Sequence, residues 1–210
     1  MSSDKYIVGS GAMLQWAVSA WTEAEPGIHM HAIDVGQDSD YRFDLAALDG
    51  LSPSNCTAFV AWGPQFLNFR RLELMGELKS RGMRMPPLVC RGAIVAASAV
   101  LGENCLVGSG TVVGEGVRLG FNTQVGSRCL VGHGARLGTS VWLADGVQVG
   151  TDCSIGANST LGAGVLLDDG VAVGRQCILD LPGLRRTALL DKTFFTAAFP
   201  QGVVVLEPGR

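Results

Sequence analysis

The sequence predicts a chain of two parts: a small parallel α/β domain over residues 1–87, then a solenoid of short parallel strands over 88–180, with a tail at 181–210. Three observations predict this. From Leu101 to Leu179 an aliphatic residue recurs at every sixth position, fourteen times in register. Residues 5–34 run strand, Gly-x-Gly turn, helix, strand, acidic residue. Beyond Asp180 the six-residue register fails.

No helix has a period of six, and a strand alternates every two residues. A hexad period means a solenoid with three short strands per coil and the aliphatic residue pointing into a triangular prism. Val89 and Val95 keep the same phase upstream. A Gly most often follows the aliphatic residue, which suits a sharp corner with φ > 0. Four positions after each aliphatic stands a small or β-branched residue, such as Cys105, Thr111, Thr123, Cys129, Cys153 or Cys177. This slot is read as inward too. The general rule for parallel crossovers would make the solenoid right-handed. Fourteen hexads make somewhat under five coils of eighteen residues.

In chain order, Lys5 to Gly9 reads as a short buried strand and Gly9-Ser10-Gly11 as a tight turn. A helix follows from Ala12 to about Thr22, then a strand from Ile28 to Ile33 that ends at Asp34. The glycines would let a phosphate approach the helix N-terminus, and the acid could hold a sugar or base hydroxyl. The third glycine of the G-x-G-x-x-G fingerprint is replaced by Leu14, so a βα turn without a ligand stands beside that reading. His29 and His31 share one face of the second strand; no third metal ligand is evident near them, and a solvated or capped strand face is preferred. A short helical piece is expected around Leu45–Leu48 and a third strand from Thr57 to Ala61. Pro64 is placed to start a helix with Phe66, Phe69, Leu72, Met75 and Leu78 as its apolar face, ended by Gly82. Arg70, Arg71, Lys79, Arg81 and Arg84 are assigned to its solvated side.

Composition narrows the class. The 210 residues are 47% hydrophobic and only 17% charged, which excludes a disordered chain. A net charge of −3 without a basic stripe argues against nucleic-acid binding. No stretch approaches transmembrane length, and Met1-Ser2-Ser3-Asp4-Lys5 does not open a signal peptide, so no membrane association and a cytoplasmic location are expected. Cys105, Cys129, Cys153 and Cys177 lie 24 residues apart, on successive faces of the prism, so they are expected to be reduced and buried. There is no C-x-x-C pair, and no metal is expected.

Ile7-Val8-Gly9-Ser10-Gly11, a third strand ending at Gly63, an Arg-bearing helix, the linker Met85-Pro86-Pro87-Leu88 and the hexad ladder together resemble the sialic-acid O-acyltransferase-like family, which includes acetyltransferases acting on nucleotide-linked 4-amino sugars. The resemblance implies a Rossmann-like βαβ domain that holds the nucleotide-linked amino sugar, followed by a left-handed parallel β-helix that holds acetyl-CoA. It also implies a homotrimer with sites in the grooves between prisms. Gly9, Ser10, Gly11 and Asp34 become the nucleotide-sugar residues.

His133, in Val131-Gly132-His133-Gly134, is the only histidine of the prism and falls two residues after an inward aliphatic, at an outward corner. The resemblance makes it the general base, and a neutral imidazole suits a base at neutral pH. Three neighbours depart from the family: Gly134 stands for Asp or Glu, Trp142 for a second His, and Gly126 for an Asn. Eighteen residues before His133, one coil earlier at the same corner, is Glu115, expected to orient the imidazole through Nδ1–H. Thr151 is the same corner one coil later. Arg185 and Arg186, in what reads as an inserted cap, are candidates for CoA phosphates. The implied activity is acetyl transfer to a sugar amine; a sugar O-acetyltransferase and a noncatalytic β-helix scaffold are the alternatives.

Overall fold

A computed structural model describes residues 4–51 and 53–206. Met1, Ser2 and Ser3, read above for a signal peptide, and the last four residues of the tail lie outside the described residues. The first part is a three-stranded parallel sheet of β1 (Asp4–Gly9), β2 (His29–Asp34) and β3 (Cys56–Ala61), in the order β2-β1-β3. Helix α1 (Gly11–Ala24) connects β1 to β2 and buries Leu14, Ala17 and Trp21, one stripe at helical spacing. A single 3-10 turn, Leu45–Leu48, lies in the long connection to β3.

Helix α2 (Phe69–Ser80) starts five residues later than Pro64 suggested. Phe66, Leu67 and Asn68 take φ of 47°, 54° and 65°, a left-handed run that no right-handed helix can contain. The helix also turns a different face inward. Phe66 and Phe69 are exposed, whereas Arg71, expected in solvent, is fully buried with Leu74, Met75 and Leu78.

The prism begins at Leu88 and runs as three parallel sheets, one per face, through about six coils. Most of its strands are two residues long, the first residue pointing out and the second in; Val165–Leu167 has three. The inward residues Val107, Val125, Val131, Leu143 and Leu161 are at most 1% exposed. The small slot is buried as expected and has a second task. Cys105, Cys129, Cys153 and Cys177 donate their thiols to the carbonyls of Gly120, Ala144, Asp168 and Leu190, as Thr111, Thr123 and Ser159 do with hydroxyls to Gly126, Gly138 and Gly174. Where the slot holds a Cys, Thr or Ser, that side chain satisfies a corner carbonyl of the next coil; elsewhere it holds a small apolar residue such as Val117, Ala135 or Val141.

The corner glycines act differently from the sequence reading. Positive φ falls at the third residue after the aliphatic, at Asn104, Gly116, Asn122, Gly134 and Asn158 among others. The Gly directly after the aliphatic is needed for close approach: a Cβ on Gly108 would lie 2.6 Å from the backbone of Gly126.

The coil also continues past Asp180. Residues Gly183–Arg185 pair parallel with Val165–Leu167, Leu189 bridges Val173, and Thr193–Thr196 pairs parallel with Ile178–Leu179. The segment read as an inserted cap is thus one more, irregular coil. Phe199–Val204 then folds back antiparallel onto Thr193–Thr196.

The first prism face carries the α/β domain. Its outward column Leu88, Leu106, Gln124, Trp142, Thr160 packs beneath α1 and α2. Much of this contact is polar. The Arg71 guanidinium donates to the Asn122 carbonyl at 2.9 Å and to Asn68 Oδ1 at 3.3 Å, and lies over the Trp142 ring at 5.2 Å. Asn104, Asn122, Ser140 and Asn158 form a corner ladder: Asn104 accepts the Val60 N–H, Asn104 donates to Asn122, Asn122 to Ser140, and Asn158 to the Leu67 carbonyl.

Candidate functional site

The parallel sheet sets the first candidate. Gly9 and Asp34 are register partners at the carboxyl ends of β1 and β2, the edge at which open α/β sheets bind ligands. Gly9 is required by packing, because a Cβ would lie 2.1 Å from the Ala61 carbonyl oxygen. Gly11 has φ +56° and opens α1. No side chain caps that helix end, so its first N–H groups face the turn. Ser10 and Gly11 line a cavity of about 360 Å³ with Trp62, Gly63, Pro64 and Gln65. Asp34 is exposed at the same sheet edge. The sequence therefore found one wall of this cavity; the 62–65 wall was read only as a strand end and a helix start.

His133 is at an outward corner, exposed, in a groove of about 280 Å³ that it shares with Thr151 and Asp169. The expected role of Glu115 does not hold. The Glu115 backbone N–H donates to His133 Nδ1 at 3.0 Å. Nδ1 is thus an acceptor and has no proton to offer a carboxylate, and the neutral ring carries its proton on Nε2. The Glu115 carboxylate instead accepts from the Ser98 hydroxyl.

This contact is one of a series. At equivalent corners Asp145 accepts the Ser127 N–H at 2.8 Å and Asp169 accepts the Thr151 N–H at 2.7 Å. The imidazole does at its corner what an aspartate does at the others. Gly134, where the resemblance expects an acid, has φ +68°, and a Cβ there would lie 2.1 Å from Asp152 Oδ1. Gly126, the family's Asn, is also closed to a side chain: its Cβ would lie 2.6 Å from Asp145 Oδ1 and 2.8 Å from the Ala144 carbonyl carbon.

Gly126 and Trp142 line a different cavity from His133, about 440 Å³ between α1 and the first prism face. Within one chain the three positions are therefore divided between two corners. The cavity also contains Gln124, which the sequence reading passed over; its signal is a lone amide between the apolar Leu106 and Trp142 of its column.

Arg185 and Arg186 are not placed as an anion site. Arg185 lies over the Phe195 ring at 4.4 Å and donates to the Leu181 carbonyl, and Arg186 faces Asp168 at 3.6 Å. Arg118 and Arg136, neighbours on the third prism face, line a groove of about 440 Å³ with Arg175. A third group also stands beside the two strand histidines, contrary to the sequence reading. Asp4 reaches His31 Nε2 at 3.0 Å, and ligand atoms of Asp4, His29 and His31 lie within 4.8 Å of one another. The His31 ring also stacks on Tyr6 at 5.0 Å, which caps this strand face.

A family profile described as the hexapeptide repeat of succinyl-transferase matches residues 98–126, 122–161 and 146–180. No curated protein matches the chain. Among solved structures, the acetyltransferase domain of PglB from Neisseria gonorrhoeae is similar at 21% identity and TM-score 0.77, covering 91% of this chain and 95% of that one. PerB from Caulobacter crescentus, in complex with CoA and GDP-perosamine, is similar at 22% identity and TM-score 0.76, covering 91% and 92%. WeeI from Acinetobacter baumannii is similar at 13% identity and TM-score 0.64, covering 91% and 95%. The likeness takes in both parts of the chain and establishes the fold: a small parallel-sheet domain on a hexapeptide-repeat β-helix.

Proposed function

We propose that this protein transfers an acetyl group from acetyl-CoA to the amine of a nucleotide-linked sugar. The observation that carries the reading is the joint match of both parts, over 91% of the chain, to a structure holding CoA and GDP-perosamine together. The cavity at Ser10 and Gly11, with Asp34 on the same sheet edge, supports nucleotide binding: the uncapped start of α1 offers N–H donors to a phosphate. The Arg118–Arg136 groove offers CoA phosphates the contacts that Arg185 and Arg186 do not.

The proposed assembly is a homotrimer. The second prism face presents an exposed apolar column, with Ile94 65%, Val112 37% and Leu130 45% exposed. That face lies between the His133 corner and the Gly126–Trp142 corner. A second copy packed on it brings His133 of one chain toward the Trp142 cavity of the next and joins positions that one chain holds apart.

In this reading His133 takes the proton that the sugar amine loses as it attacks the thioester. The ring must first turn about χ2 and release the Glu115 N–H, at a cost of about 1 kcal/mol. The corner series favours a second reading, in which His133 is a structural cap on a noncatalytic prism.

His133→Asn separates the two. Asn can accept the Glu115 N–H, as Asp145 and Asp169 do at their corners, but cannot act as a base. Acetylation of GDP-perosamine by acetyl-CoA, followed by thiol release, is expected in wild type and reduced roughly 10²–10⁴-fold in the variant, with the melting temperature unchanged. Turnover equal to wild type removes His133 from the chemistry. A folded wild type that binds no acetyl-CoA at millimolar concentration supports the noncatalytic prism.

A further inference from the structure

Gln124 is a buried polar residue without a use in the fold. It is 2% exposed, and neither Oε1 nor Nε2 has a hydrogen-bond partner. Buried amides are almost always paired, so one left open on a cavity wall marks a partner that arrives from outside. Its neighbours in the column are Leu106 in the coil before and Trp142 in the coil after. The cavity it lines has Met13 and Trp16 of α1 as its opposite wall.

We propose that this cavity is the acceptor-sugar subsite, and that Gln124 selects sugars presenting an uncharged group that both donates and accepts a hydrogen bond, a hydroxyl or an N-acyl group. The proposal rests on the acetyl-transfer reading and names its substrate class. A volume of about 440 Å³ is ample for one pyranose ring. The walls are mostly apolar, and the Trp142 indole offers a face to the C–H side of the ring. Among the described residues one charged side chain lines the cavity, Asp145, whose Oδ1 accepts the Ser127 N–H. An ammonium only donates and would leave Nε2 unpaired; a carboxylate only accepts and would leave Oε1 unpaired. A neutral group meets both amide atoms: its hydrogen goes to Oε1 and its oxygen accepts from Nε2. With Gly126 sterically closed and Trp142 an indole, Gln124 carries the polar recognition on this wall.

The test is Gln124→Met, which keeps the volume and removes both polar atoms. Thermal melts and calorimetric titrations with GDP-perosamine, UDP-N-acetylglucosamine, GDP, UDP and acetyl-CoA are compared for wild type and variant. The expected result joins a gain and a loss. The variant melts about 2–4 °C higher, because an unpaired buried amide has gone. It binds the preferred sugar nucleotide roughly tenfold more weakly, while the matching bare nucleotide binds as before. A lower melting temperature would mean that the amide is satisfied inside the fold, and overturns the proposal. Equal sugar-nucleotide affinity in the two proteins overturns the subsite alone. A wild type that binds neither sugar nucleotides nor acetyl-CoA overturns the acetyl-transfer reading, and the subsite with it.

Discussion

The interior of the prism and the face on which the α/β domain sits are held by different physics. The interior is a column of repeated aliphatics and small donors, each in contact with its equivalent one coil away, and each coil is a template for the next. The interdomain face is a single arrangement. Its centre is Arg71, a fully buried cation that donates to one carbonyl and one side-chain amide, beside a corner ladder of Asn and Ser. The difference teaches that repetition spreads a core over many equivalent apolar contacts, whereas a one-off polar interface depends on a few single donors.

The largest effect is expected inside the prism. Val131 is 0% exposed between Val113 and Val149. Val131→Asp places a carboxylate there with no charge partner, and a loss of about 5 kcal/mol or more is expected. Soluble expression should collapse. A soluble variant with a cooperative melt near wild type would show that the inward column tolerates a charge.

Next is Arg71→Ala. It leaves the Asn122 carbonyl and Asn68 Oδ1 without their donor and opens space beside Trp142. Burial holds the guanidinium down to a pKa of about 9, so it remains charged at neutral pH. About 3–5 kcal/mol is expected to be lost, read as a lowered and broadened melt in which the α/β domain leaves first. Asn122→Ala should follow at about 1–3 kcal/mol, because both neighbours in the ladder lose a partner.

The same contrast explains what the sequence disclosed. The prism was legible because a six-residue period repeated over fourteen hexads outweighs local exceptions, and the Gly-x-Gly turn because its neighbours are strand and helix by pattern. Arg71 was assigned to solvent because a lone Arg on a helix usually is solvated; only tertiary contact shows that its partner is the backbone of a residue 51 positions away. The corner ladder did leave a trace, Asn104, Asn122, Ser140 and Asn158 at eighteen-residue steps, but what it touches belongs to the other domain. The hexad register ended at Asp180, yet pairing continues, because parallel ladders need backbone direction more than aliphatic identity. His133 was placed at the correct corner, while its Nδ1 partner turned on a backbone N–H that no side-chain pattern reveals.

Smaller effects sharpen the contrast at the corners. Glu115→Gln should change stability by under about 0.5 kcal/mol and leave His133 in place, because the contact to the ring is made by the backbone. The check is the NMR chemical shifts of the His133 ring at one fixed pH, expected to superimpose on those of wild type. Displaced ring shifts would return the carboxylate to the role the sequence suggested.

The smallest perturbation is chemical labelling of the native protein, and it compares the two regions directly. All six cysteines are buried thiols outside any disulfide. Burial pushes the Cys105 and Cys129 thiols up to about 11, where an ordinary thiol here lies near 9. At pH 8 each is therefore roughly 0.1% thiolate while buried, and labelling by an aromatic disulfide must wait for local opening. Opening free energies differ between cooperative units of one fold. Cys129 sits in the middle of the self-templated column, with coils on both sides; Cys56 begins β3 in a three-stranded sheet that depends on the polar interface. Cys56 should label first and Cys129 among the last, with the gap narrowed by Asn122→Ala only through faster Cys56. If Cys129 labels before Cys56, the prism interior is the less stable of the two regions, and the contrast between repeated and single packing is reversed.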